Sequence, residues 1–322
     1  MPCFNCTVPQ TFSDEMRLDK YISSLPDGIS RSRLKNSVSK ISINGKQEKL
    51  SYKVKPGDNV YIEWEDTVPD YIEPEDIPLS VIYEDENVTV INKQQGMVTH
   101  PAAGNWNGTL VNALLYHWGQ KAVARVKEGT VSEILASRRP GIVHRLDKDT
   151  SGTIITAKNK QTEDWLQNQF QTRKVRKEYI AIVCGRPPAR NGDIRTQLIR
   201  DPKNRKKYKA VTGTTEGKSA RTLYHCIACY GNFSLMRLRL KTGRTHQIRV
   251  HMKYIGCPIL GDPLYNQKGS TLYKSATLML HARLLQIHLP GQKQWSIFKA
   301  DVPQRFKDVL KILHQQYAKE VL

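Results

Sequence analysis

The chain has 322 residues, with 50 Lys and Arg against 30 Asp and Glu, a formal net charge of +20. An excess of that size favours a polyanionic partner, because cations seated on phosphates release condensed counterions, and nucleic acid is preferred over the plainer reading of a basic soluble protein. No apolar run spans a membrane, no lipidation signal is seen, and residues 1–12 lack the basic start and apolar core of a secretion signal, so the expectation is a cytoplasmic, non-membrane protein with its 6 cysteines reduced.

Residues 1–14 read as a loose tail and residues 15–65 as a compact unit. Leu18, Tyr21, Ile22 and Leu25 recur at the spacing of one helix face, and Pro26-Asp27-Gly28 ends that helix. Ser30 or Ser32 is placed to cap a second helix carrying Leu34 and Val38 together with Arg31, Arg33 and Lys35. Ile41 and Ile43 alternate into Asn44-Gly45, a hairpin turn signal; Pro56-Gly57-Asp58 marks another turn, and Val60, Ile62 and Trp64 alternate as a strand. RLDKYI at 17–22, SRSRLKNSV at 30–38, ISING at 41–45 and VKPGDNVYI at 54–62 resemble the S4 RNA-binding domain. That resemblance implies that Arg31, Arg33 and Lys35, with the hairpin, hold structured RNA. The plainer alternative is a small basic αβ module with no RNA role.

Residues 66–78 hold three prolines and five acidic residues, a linker composition whose charge should keep it off RNA. The unit at 79–322 reads as strands at 79–83, 88–92, 153–158, 178–183, 220–229, 232–241, 279–287 and 294–299. Helices are expected near 109–117 and over 161–171, 245–255 and 304–318. Strands and helices mix without regular alternation, which predicts an α+β domain on a mixed or largely antiparallel sheet. The pairs Cys3/Cys6 and Cys226/Cys229 raise structural zinc, but the second lies in a strand, where positions three apart face opposite ways, so no metal is expected. Cys184 and Cys257 read as small core residues.

Chemistry concentrates in three stretches. In the first, Gly141 to Gly152, Asp147 lies between Arg145 and Lys148 and is held ionised by opposite charge, fit to act as nucleophile or base. Its plainer reading is a turn cap helped by Asp149, Thr150 and Ser151. A phosphatase-like DxDxT over Asp147 to Thr150 is disfavoured, because His144 and Arg145 interrupt the strand that motif needs. In the second, Tyr179 shares a strand face with Ala181 and Val183, where a ring can stack on a displaced base or sit in the core. In the third, Gly243 breaks a strand, Thr245 is placed to cap a helix with the stripe Ile248, Met252 and Ile255, and Arg249 is offset so as to pair bidentately with Asp147. His246 and His251 are five apart, a poor spacing for a metal.

HRLDKDTSG, KEYIAIVCG and TGRTHQIRVHMKYIGCPILGDPLY, in that order, resemble the RluA-type pseudouridine synthase family over the chain from about residue 15. HPAAGNWNGTLVNALLYH at 100–117 looks most like members that modify large-subunit ribosomal RNA, and an S4 domain in front is a frequent family arrangement. The resemblance implies a mixed, largely antiparallel sheet with flanking helices and a central cleft, and isomerisation of uridine to pseudouridine without a cofactor. It assigns Asp147 to the ribose, by attack at C1′ or proton abstraction at C2′. Tyr179 would stack on uracil or take the C5 proton, and Arg249 would pair with Asp147. Arg145 would enter the space left by the flipped base, with His144 supporting the loop. Basic loops with Arg173, Lys174 and Arg176, and with Lys203, Arg205, Lys206 and Lys207, are candidate RNA contacts, or else solvated charged loops. The expected partner is ribosomal RNA, including that of the assembling large subunit, met by a monomer. Transfer RNA as substrate, or a non-catalytic RNA-binding assembly factor, are the alternatives.

Overall fold

The computed structural model describes residues 3–25, 29, 31, 34–35, 38–64, 71–102, 104–124, 140–266 and 276–317. Arg33, the Pro26-Asp27-Gly28 turn, Ser30, Ser32 and the first part of the expected linker lie outside the described residues. The chain divides into two compact units, Met1–Tyr71 with Ala102–Trp106, and Ile72–Pro101 with Asn107–Leu322. No helix among the described residues is long and apolar enough to cross a membrane.

The first unit is a four-stranded antiparallel sheet with a helix, α1 (Leu18–Ser24). Its strands are β1 (Cys3–Thr7), β2 (Val38–Ile43), β3 (Lys46–Gln47) and β4 (Asn59–Trp64), in the order β1-β4-β2-β3. Leu18 and Ile22 of α1 meet Leu34 and Ile62 in a core from which water is excluded. Asn44 and Gly45 both take positive φ, 52° and 80°, as a tight hairpin with right-handed strands requires. Asp58 ties the second turn down: its carboxylate accepts from Lys55 N at 2.8 Å, Asn44 Nδ2 at 2.8 Å and the Tyr52 hydroxyl at 3.1 Å. Two expectations change here. Residues 3–7 are no tail but an edge strand paired with β4, Cys3 opposite Glu63 and Thr7 opposite Asn59. Val38 opens β2 instead of continuing the second helix, of which Arg31, Leu34 and Lys35 are described as helical.

The second unit is built on a ten-stranded sheet. In chain order its strands are β5 (Val81–Glu84), β6 (Val88–Lys93), β7 (Ser151–Ala157), β8 (Arg176–Cys184), β9 (Asn191–Arg200), β10 (Tyr208–Val211), β11 (Lys218–Tyr230), β12 (Phe233–Leu240), β13 (Leu280–Ile287) and β14 (Ser296–Lys299). Their order is β10-β9-β11-β12-β8-β13-β7-β6-β5, with β14 beside β13. Pairings are antiparallel except that of β7 with β13. The helices are α2 (Leu110–His117), α3 (Lys160–Gln171), α4 (Gln247–Tyr254) and α5 (Gln304–Tyr317). Strands β9 and β10 were not read from sequence. Ile194, Thr196 and Leu198 of β9 are buried but separated by Asp193, Arg195 and Gln197, so an edge-side strand with one charged face resembles a basic loop. The acidic stretch is likewise no free linker from Ile72 onward. Ile72 is 1% exposed in the main core, Glu75 accepts from Gly108 N at 3.0 Å, and Glu73 O accepts from Asn112 Nδ2 at 2.7 Å. Cys226 and Cys229 do not face opposite ways as an ideal strand would place them. A bulge between Cys226 and Ala228 breaks the alternation and brings the two sulfurs to 3.5 Å.

The parallel join between β7 and β13 closes the sheet next to the Asp147 loop. Ser151 faces His281 there and Gly152 faces Ala282. Gly152 holds φ at +115°, and a Cβ on it would lie 2.2 Å from the Ala282 carbonyl oxygen. Only glycine fits, on both counts. Gly152→Ala should cost ~3 kcal/mol of stability in urea unfolding. A loss under about 0.5 kcal/mol would show that the strands separate freely.

Candidate active site

A cleft of about 500 Å³ opens on the second unit. It is lined from β8 by Lys177 and Tyr179, from α4 and the turn before it by Gly243 to Arg249, and from the loop before β7 by Val143 to Asp147. Asp147, Tyr179, Arg249 and Arg145 thus reach one cleft, Asp147 and Arg249 from 102 positions apart. Among the described lining residues Asp147 is the single acid, against Arg145, Arg173, Lys177, Lys241, Arg244 and Arg249.

The Asp147 loop hangs by its backbone from residues 93–99. Thr99 Oγ1 donates to Leu146 O at 2.9 Å, Gly96 N to Lys148 O at 2.9 Å, and Gln95 Nε2 to Asp149 O at 2.9 Å. Lys93 completes the suspension from a site 1% exposed, donating through Nζ to Gln94 O and Met97 O at 2.8 Å and to Lys148 O at 3.2 Å. Three carbonyls match the three donors of an ammonium. Burial nevertheless pulls its pKa down to about 7, opposed by Asp147 and Asp149. On the loop's other side His144 stacks on Phe170 at 4.5 Å and accepts through Nε2 from Ile155 N at 3.1 Å. Burial lowers its pKa to about 3, so the ring is neutral with its proton on Nδ1.

Arg249 is 4% exposed, and its bidentate partner is Asp262 rather than Asp147. Nε donates to Asp262 Oδ2 at 2.7 Å and Nη2 to Oδ1 at 2.8 Å, leaving Nη1 directed at Asp147 Oδ2 at 3.4 Å. Asp262 also accepts from Leu264 N at 2.9 Å and Tyr265 N at 3.0 Å. Burial disfavours the guanidinium, but the Asp262 hydrogen bonds and charge outweigh it and hold the arginine pKa above its usual range. The Tyr265 ring lies 5.2 Å from the guanidinium carbon. The capping role expected of Thr245 is not seen. Helix α4 begins at Gln247, its N-cap His246 is in the left-handed conformation (φ 55°, ψ 15°), and the Gln247 side-chain oxygen takes the Arg244 N–H at 3.0 Å and the Thr242 hydroxyl at 2.7 Å. His251 lies apart from His246, buried between Thr196 at 3.0 Å and Thr222 at 2.8 Å.

Tyr179 is 7% exposed, and burial, then the Asp147 charge, raises its phenol well above its ordinary range. That favours a protonated ring for stacking and opposes a phenolate acting as base. Lys177, two positions before it, also faces the cleft, over the Phe170 ring at 5.4 Å, with a pKa lowered by burial to about 8. The remaining basic residues are not brought to the lining. Lys174, Arg176, Lys203, Arg205 and Lys206 are exposed, Lys207 is half-buried, and Arg176 lies over Trp295 at 5.5 Å. Arg31, in the first unit, donates to buried Asp19 at 2.7 and 2.9 Å, while Lys35 is exposed. Sequence reasoning placed Lys177 only at the end of a basic run and missed Lys93, Asp262 and Tyr265. The last two stand in the GDPLY of a quoted motif, where Asp before Pro reads as a turn.

Residues 87–254 match the family described as RNA pseudouridylate synthase. The chain belongs to this family. It is 42% identical over 297 residues to the ribosomal large subunit pseudouridine synthase D of Borreliella burgdorferi, covering 90% of this chain and 87% of the relative. To the protein of that name from Zymomonas mobilis it is 40% identical over 316 residues, 94% of this chain and 96% of the relative. The solved structure of human RNA pseudouridylate synthase domain containing 4 superposes with a TM-score of 0.56 at 25% identity, over 73% of this chain and 93% of that one. As an RluA-type pseudouridine synthase the chain converts uridine in RNA to its C5-linked isomer. The cation-lined cleft suits such a polyanionic substrate.

Lys93 links this site to pH. Between pH about 7 and its unfolded value of 10.5, the folded state has released a proton that the unfolded chain keeps. The unfolded state then binds more protons, so stability rises with pH in that window. Lys93→Met should flatten the rise between pH 7 and 9 by up to about 1.4 kcal/mol per pH unit. Urea unfolding at both values checks this, and an unchanged slope would mean that Lys93 stays charged in its cage.

Proposed function

We propose that this chain isomerises uridine in large-subunit ribosomal RNA with Asp147 as the residue that acts at the ribose. The observation that carries this reading is the solitary carboxylate in a cleft lined by six cations, one of them, Arg249, aimed at it at 3.4 Å. The target nucleotide leaves its stack, at a cost of a few kcal/mol. Arg145, exposed beside Asp147, is suited to fill the vacated space. The N1–C1′ bond breaks, uracil turns, C5 bonds to C1′ and loses its proton while N1 gains one, so the product is an isomer of the substrate. Asp147 attacks C1′ or takes the C2′ proton, and Tyr179 stacks on the uracil in either route. Ribosomal RNA is favoured over transfer RNA by the names of the relatives from Borreliella burgdorferi and Zymomonas mobilis.

Asp147→Ala should bind RNA within about twofold of the unaltered enzyme and release no tritium from 5-tritiated uridine RNA. Residual turnover above about one part in a thousand would remove Asp147 from this role. The substrate is checked by mapping pseudouridine in cells lacking the gene. Loss from transfer RNA with ribosomal RNA unchanged would overturn the ribosomal reading.

We further propose that the unit Met1–Tyr71 is an S4-like RNA-binding module of a cytoplasmic, monomeric enzyme, with Lys35, Arg33 and the β2–β3 hairpin on the RNA. Basic residues in the 173–177 and 200–209 loops would add phosphate contacts. Removing residues 1–65 should weaken RNA binding about tenfold and leave single-turnover chemistry on a short stem-loop within about threefold. Equal loss of both would make that unit part of the active site.

A further inference from the structure

His246 is, with Arg173, one of two non-glycine residues among the described cleft lining held in the left-handed conformation. A left-handed backbone costs a bulky residue roughly 1–2 kcal/mol, and helix N-caps are ordinarily extended. At φ 55° and ψ 15° the ring is carried into the cleft, its side chain 16% exposed and Nε2 3.9 Å from Asp147 Oδ2. Its other nitrogen, Nδ1, lies 3.0 Å from the Tyr265 hydroxyl. That hydroxyl already accepts the Tyr208 N–H at 2.8 Å, so its own proton is free to be donated to Nδ1. Donation into Nδ1 fixes the tautomer: the imidazole proton stands on Nε2 and points at the carboxylate. Burial keeps the ring neutral at pH 7, Arg249 and Arg145 acting in the same sense and Asp147 and Asp262 opposing. The rings support one another edge to face, Tyr208 with His246 at 5.9 Å and His246 with Tyr265 at 5.6 Å.

Arg249 Nη1 and His246 Nε2 converge on the same oxygen, Oδ2, at 3.4 and 3.9 Å, while Oδ1 has no hydrogen-bond or ion-pair partner among the described residues. We propose that His246, with its ring locked by Tyr265, is a positioning residue for Asp147: it donates through Nε2 to Oδ2 and, with Arg249, presents Oδ1 as the oxygen that meets the ribose. The proposal rests on the assignment of Asp147 made above. A separation of 3.9 Å exceeds a hydrogen bond in the free enzyme, and the contact tightens when RNA excludes water from the cleft.

Two substitutions separate this role from a structural one. Tyr265→Phe keeps the ring over Arg249 and removes the hydroxyl. His246→Asn keeps a side chain that tolerates the left-handed backbone and loses the reach to Asp147. Each should lower kcat about 10- to 100-fold with KM for RNA within about twofold, and His246→Asn should keep or raise the thermal midpoint. The double variant should fall no further than the lower single one, because both remove one hydrogen-bonded chain. The other groups acting on Asp147 or on His246 are Arg249, Lys93, Tyr179, Tyr265, Asp262 and Arg145, all retained in His246→Asn. A stable His246→Asn enzyme with unchanged kcat overturns the proposal, as does a rise in KM that accounts for the whole loss, or additivity in the double variant. Turnover by Asp147→Ala overturns the assignment of Asp147 instead, so the two failures are told apart.

Discussion

The site depends on a cation that is locked before any substrate arrives. Arg249 is almost wholly buried, and an unpaired guanidinium there would be ruinous. Asp262, fully buried and itself held by two backbone N–H groups, takes two of its three faces in a planar fork. The remaining face has one direction to point, and Asp147 is there. The pair stabilises the fold weakly against an apolar alternative, but it gives the carboxylate a fixed counter-charge that needs no reorganisation during the reaction.

A second constraint acts on the Asp147 backbone. Gln95, Gly96 and Thr99, with the buried Lys93 side chain, donate to the carbonyls around Asp147, while His144 closes the loop from the other side. The side chain is thus aimed by its own main chain as well as by its partners. Cations on the rim and a tyrosine kept protonated by burial complete a cleft whose charge suits a phosphate backbone.

Much of the fold was legible because its elements carry strong local signals. The periodic face of α1, the Asn44-Gly45 hairpin and the apolar run of β7 are properties of adjacent residues. Elements whose character depends on what covers them were not. Strand β9 has charged residues on its open face, and residues 3–7 become a strand only because β4 offers them an edge. The Cys226/Cys229 pair was read with an ideal two-residue period, which a bulge cancels.

For the site, the sequence by itself determined which chemical groups are present and, through motif order, the family. Asp147, Tyr179 and Arg249 all stand out from their neighbours. Which group pairs with which was decided only by tertiary structure. Arg249 takes Asp262 from a turn 13 residues on, Lys93 reaches a loop 55 residues away, and Tyr265 sets the tautomer of a histidine 19 positions before it. Hydrogen bonds act over about 3 Å and depend on angle, and distance along the chain carries no information about either once the backbone turns.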